Sequence, residues 1–229
     1  MRSTPVVSDQ TIARLGALFL ISGGLLGAAS HLLHPWMPPS TPQDLATYAH
    51  RSPLTHVILL IAVVLVSIGL PVLGAFLRAT TGVATFVAIP LLFVGLVLYD
   101  MLHCPIEFGL VPLLPSLDYG LANKLLGGIY GPPSLYFKCN IAGAPVLIIG
   151  IVLLFFGTAR STAVPRWPAY LLLAVPVLMV CAFLPLQNIV PMLAEHAFPP
   201  LIYLGLAGYG IALLSRTEFG AEGASTLRV

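Results

Sequence analysis

Long apolar runs separated by short polar breaks dominate the chain, and the runs have the length of bilayer spans rather than of strands or ordinary core helices. A spanning helix needs about 20 apolar residues, and six stretches fit: 12–31, 54–77, 83–102, 141–157, 169–186 and 197–214. The fourth is the shortest and extends on the same pattern back toward Phe137. This predicts an all-α integral membrane protein, a bundle of six transmembrane helices forming a single polytopic domain over 1–229. The interval 103–140 is neither a span nor an ordinary polar loop. Its apolar pieces at 108–115 and 125–130 are broken by proline and glycine and are too short to cross, so they read as a partly apolar lid of interfacial or re-entrant segments.

Composition supports the membrane reading. Hydrophobic residues make up 58% of the chain and charged residues 8%, against about 25% charged in a soluble domain. A net charge of +2 without a basic stripe excludes nucleic acid as a partner. The three cysteines form no C-x-x-C, and no P-loop, G-x-G-x-x-G, H-E-x-x-H or G-x-S-x-G occurs. The expected surroundings are a lipid bilayer, with homo-oligomers as a further expectation.

Lysine and arginine placement sets the expected orientation. Arg2, Arg14, Arg78, Arg160, Arg166, Arg216 and Arg228 fall on one side of a six-helix chain, and Arg51, Lys124 and Lys138 on the other. Both termini are then cytoplasmic in a multi-pass cell-membrane protein, and 33–53, 103–140 and 187–196 lie outside. A cleaved signal peptide is the competing reading of the first run, with Gly27-Ala28-Ala29 near its end. The glycine-rich core running on to His31 and His34 favours a retained helix.

All six histidines fall on the outer side, with Asp100, Glu107, Asp118 and Glu195. Helical spacing asks which of them face the bundle. Gly16, Leu20, Gly23, Gly27, His31 and His34 recur at steps of three and four, the spacing of small residues that lets helices approach closely in lipid. His56 with Ser52, Asn140 with Gly143, and His196 with Tyr203 continue comparable stripes on other helices. Four helices therefore send polar groups toward one outer pocket. The plainer alternative is a set of scattered interfacial residues.

The segment around Asp100 concentrates the chemistry. Asp100, His103 and Glu107 lie at i, i+3 and i+7, on one face if the helix continues past Pro105, although proline disfavours helical geometry at Cys104. Ionisable groups at membrane depth are functional candidates by default, so Asp100, His103 and Glu107 are the expected catalytic residues. His31, His34, His56 and His103 are the expected ligands of a transition metal, zinc fitting such a set best, with bis-histidine haem as the alternative. Tyr99, Asn140, Tyr203 and His196 are expected to contact substrate. Cys104 and Cys139 flank the lid, and a disulfide between them would close it. The expected function is a membrane enzyme acting on a hydrophobic or lipid-like substrate by metal-assisted or acid–base chemistry. A small transporter or proton-coupled carrier and a haem- or metal-binding membrane subunit are the other classes.

Overall fold

The computed structural model describes residues 8–35, 39–159, 161, 164–183 and 191–225, with side chains for all of these except 79–81, 180–183, 191–197 and 217–225. Every regular element among them is helical. In chain order these are α1 (Asp9–Leu33), α2 (Pro42–Leu96), a π-helical turn (Val97–Met101), α3 (Cys104–Gly109), a 3₁₀ turn (Val111–Ser116), α4 (Tyr119–Tyr130), α5 (Leu135–Ala159), α6 (Trp167–Phe183) and α7 (Pro191–Ser225).

Five stretches are long and apolar enough to cross a bilayer: Asp9–Leu33, Pro42–Arg78, Gly82–Ser116, Leu135–Ala159 and Phe198–Arg216. They contain four of the six expected spans and all but the first residue of a fifth, 197–214. The remaining one, expected at 169–186, coincides with α6, whose apolar part Trp167–Met179 is shorter than a span, and 184–186 lie outside the described residues. Large apolar side chains such as Leu18 and Leu25 of α1, Ile61 and Ile68 of α2, and Phe156 of α5 point outward, as lipid-facing positions do.

Helix α2 starts twelve positions earlier than the apolar run at 54 suggests. Thr41 caps it by accepting from the Asp44 amide at 3.1 Å, Pro42 occupies the first turn, and Asp44 places an acid at the positive end of the helix dipole. The segment expected as an outer loop is therefore largely helix. Gly82 breaks α2 into two limbs, with φ of 68°, the only positive φ among the described residues. A side chain there would meet its own backbone, so glycine is the residue that fits. Gly74 packs on Ile89, two positions placed symmetrically about the break, so the limbs run antiparallel.

The helices close into a ring in the order α1, α2, α5, α6, α7 and back to α1. Glycines set the close approaches. On α1, Gly16 packs on Val72 and Gly23 on the Ala62 carbonyl and Val66, all in the first limb of α2, whereas Gly24 and Gly27 receive Tyr203 of α7. The expected Gly23/Gly27 stripe thus serves two neighbours, and α1 is wedged between them. The second limb meets α5 in the same way, Gly95 packing on Leu147 and Gly143 on Leu98. On the α1 face expected to be buried, Gly16, Leu20, Gly23 and Gly27 are inside, with Ser30 beside them, and His31 and His34 are half-buried.

A Cβ at position 27 would overlap the Tyr203 ring. Gly27→Val is accordingly expected to destabilise the fold by about 1–3 kcal/mol or more, the usual range for overpacking, read as a lower unfolding temperature in detergent. Gly128→Ala in α4, where a Cβ meets nothing within 4 Å, is the neutral control.

The chain between the π-helical turn and α5 folds back on the start of α2. Val111, Leu114, Ala122 and Leu126 form a second small core with Leu45, Tyr48 and Ala49, separate from the main core of the ring. Cys104 and Cys139 are both free, which corrects the expected disulfide. The Cys104 thiol turns inward and donates to the Asp100 carbonyl at 3.3 Å, so it is engaged inside the bundle rather than offered to α5.

Candidate functional site

The site is built where α2 loses its regular ladder. The π-helical turn widens the helix by one residue and directs Asp100 inward, where it is 1% exposed. Side chains take up carbonyls at this irregular turn, the Cys104 thiol on Asp100 and the Asn140 amide on Tyr99 at 3.1 Å. Pro105 then falls in the first turn of a new helix, α3, where its missing N–H costs nothing. The chain does not run as one helix from Asp100 to Glu107. The break between them gives each acid its own set of partners.

Asp100 is held from two helices. The Tyr203 hydroxyl of α7 donates to Oδ2 at 2.8 Å, and His31 Nε2 of α1 lies 3.5 Å from Oδ1. The Tyr203 and His31 rings also pack together, with centroids 5.6 Å apart. The α1 stripe points His31 inward, and the helix face that buries its glycines carries His31 to the acid.

Glu107 is the centre of a second constellation and is likewise 1% exposed. Tyr48 donates to Oε1 at 2.7 Å and Ser52 to Oε2 at 2.6 Å, both from the start of α2, and Tyr130 of α4 donates to Oε1. His56 Nδ1 lies 3.8 Å from Oε2. Tyr48, Ser52 and His56 stand at steps of four on one helical face. The sequence reading missed Tyr48 because it began this helix too late, although Thr41-Pro42 marks the true start. Burial first, and then the Glu107 charge, raise the Tyr130 phenol far above its ordinary range, so it remains a donor.

The two constellations meet around a cavity of about 170 Å³ bordered by His31, His34, His56, Asp100, His103 and Asn140, with Tyr99 also in the wall. His34 and His56 pack edge to face at 4.9 Å, His56 and His103 at 4.7 Å, and His103 continues to Tyr136 at 5.4 Å. His56 Nδ1 lies 2.8 Å from the Ser52 carbonyl. A carbonyl only accepts, so this nitrogen carries a proton, and in the neutral ring Nε2 is the acceptor. His103 Nδ1 is buried with no hydrogen-bond partner among the described residues.

This packing bears on the expected ligand set. His31, His34, His56 and His103 do come together, but the last three present ring edges to ring faces. Among the described residues no three His, Cys, Asp or Glu side chains are disposed to hold one metal ion. Rings already in contact also leave no room for a porphyrin between His34 and His56 or between His56 and His103. Of the expected substrate contacts, Tyr99 and Asn140 line the cavity, while Tyr203 sits on Asp100 behind it. The His196 side chain lies outside the described residues, and the backbone of α7 passes through 196 and on through Pro199-Pro200 as helix, although 187–196 was expected as an outer segment between spans. His50 is exposed and does not border the cavity.

His34 stands just past the end of α1. Burial first, then the nearby His56, hold its pKa at about 3 against an ordinary 6.5. The folded state therefore binds fewer protons than the unfolded chain between these values, and the linkage favours unfolding there. Stability should be full above pH 6.5 and fall as the pH drops toward 3. Thermal melts of detergent-solubilised protein across this window check the slope, and His34→Gln should flatten it.

No family model matches the chain, and neither a curated protein nor a solved structure matches it.

Proposed function

We propose that the chain is a polytopic membrane enzyme that performs acid–base chemistry on an amphiphile, whose polar group enters the histidine-walled cavity while its apolar body stays in lipid. The supporting observation is a cavity bordered by the buried Asp100 carboxylate and by His31, His56 and His103, with a second buried carboxylate, Glu107, set behind His56, each acid bonded to a tyrosine hydroxyl and close to an imidazole. Asp100 with His31 serves as the proton-holding pair. His56 Nε2 takes a proton from the substrate, and His103 Nδ1 orients the polar group. Such groups supply about 10²–10⁴-fold in rate when they are within hydrogen-bond reach of the reacting atoms.

In this reading α6 is the sixth span, both termini are cytoplasmic in the cell membrane, and the site opens to the outer leaflet. The segment from α3 to α4 is the lid, held down by Tyr130 on Glu107 and by the second small core. The carrier reading would require a proton or substrate path onward through the ring. Beyond the site the interior is filled by Leu20, Val66, Leu70, Leu73 and Leu206, and Asp100, Glu107 and His56 are the only acids or imidazoles that are fully buried among the described residues. That dry plug favours chemistry over passage.

Comparing the extractable lipids of cells that produce the wild type or Asp100→Asn tests the reading. One amphiphile should fall and a related species rise with the wild type alone. Identical profiles would refute an enzymatic role. Elemental analysis of the purified protein separates the mechanisms: stoichiometric zinc lost in both His34→Ala and His103→Ala would replace unassisted acid–base chemistry with a metal-assisted one.

A further inference from the structure

A second cavity lies at the opposite end of the α2 hairpin, about 300 Å³ in volume and bordered by Pro71, Gly74, Ala75, Arg78, Phe86, Ile89 and Pro90. It exists for an identifiable reason. Pro71 and Pro90 interrupt the backbone ladders of the two limbs, and Gly74 contributes no side chain where the limbs touch at Ile89. The limbs therefore meet at Gly74 and part beside Arg78. The walls are apolar apart from one guanidinium, and Phe86 is 74% exposed beside the opening. Arg14 on α1, Arg166 before α6 and Arg216 on α7 stand toward the same end of the ring as Arg78, whereas Lys124 and Lys138 stand toward the other.

We propose that this groove binds an anionic phospholipid, with an acyl chain along Pro71, Ala75, Phe86 and Ile89 and the phosphate on the Arg78 guanidinium. The charge chooses the occupant. A purely apolar groove would accept any acyl chain, but arginine presents a planar fork of donors that matches a phosphate in two hydrogen bonds. At the edge of the bilayer such a site discriminates by headgroup charge. One basic side chain near an anionic surface supplies a preference of about fivefold. The site is independent of the histidine cavity and does not rest on the enzymatic reading.

The full chain, released from bilayer discs containing equal phosphatidylglycerol and phosphatidylcholine, is weighed by native mass spectrometry to count the lipids it retains. The wild type should keep phosphatidylglycerol over phosphatidylcholine by about fivefold. Arg78→Gln should bring the ratio close to one, and Arg78→Lys should retain part of it. Ala75→Phe, which fills the groove and keeps the charge, should lower the number of retained lipids. Inorganic phosphate added before release should displace little, because the acyl chain contributes to binding. Equal retention by the wild type, an unchanged preference in Arg78→Gln, or an unchanged number of retained lipids in Ala75→Phe overturns the proposal. Loss of the preference to phosphate alone would also overturn it, by reducing the site to a headgroup contact.

Discussion

Asp100→Asn should lower turnover by about 10²–10⁴-fold, the range for loss of a positioned acid or base, while the protein remains folded in detergent. The amide has nearly the volume of the carboxylate and still accepts from the Tyr203 hydroxyl, which lies 2.8 Å from Oδ2. What it lacks is the charge facing His31, 3.5 Å from Oδ1, and the ability to carry a proton. Packing around Gly27, Tyr203 and the π-helical turn should therefore survive where chemistry does not. Turnover and unfolding temperature measured on the same preparation separate the two effects. A large fall in both would make Asp100 chiefly a structural residue.

Glu107→Ala should do the reverse and act first on stability. It removes the one carboxylate that Tyr48, Ser52 and the half-buried Tyr130 share, while Ser52 keeps its contact with His56 Nδ1. Removing the acceptor of a buried hydrogen bond costs about 1–3 kcal/mol, and the loss of this shared carboxylate is expected to fall in that range or somewhat above it. Because Tyr130 is the end of α4, the lid should loosen before the ring does. Trypsin reports this through Lys124, an exposed residue of α4, where cleavage should be faster in the variant than in the wild type. Glu107→Gln should fall between the two, since its carbonyl oxygen still accepts from both tyrosines while its amide faces Ser52 and His56 with donors.

Periodicity turned His31 toward the bundle interior, where it lies 3.5 Å from Asp100, though the pairing itself was not legible. The glycine stripe of α1 identifies a buried face, and the histidine at its end follows the same spacing. Five spans were legible for the same reason, that runs of about 20 apolar residues have few other uses. The Glu107 constellation was harder to read, because its partners come from positions 59, 55 and 23 residues away. Two of them lie in helical turns before the apolar run begins. An interfacial solvated acid and a buried hub look alike in sequence until Tyr48 and Tyr130 are brought to the same carboxylate. The cysteines misled for a local reason: flanking a loop suggested a staple, but the irregular turn at Asp100 offers a carbonyl, and the thiol of Cys104 takes it.

The histidines carry the most consequential revision. Their convergence follows from topology and helix faces, but whether rings meet through nitrogens or through edges depends on side-chain rotation, which spacing does not encode. With His34, His56 and His103 packed edge to face, acid–base chemistry becomes the stronger reading of the same residues.

Incubating the total amphiphile extract of a producing cell with detergent-purified wild type, and in parallel with Asp100→Asn, tests the central claim most directly. Micelles hold no gradient, so only chemistry can alter the extract. Mass spectrometry should find one species consumed and one formed by the wild type, with neither change in the variant. An unaltered extract, together with proton movement into sealed vesicles carrying the wild type, would contradict the account and make the same cavity part of a carrier.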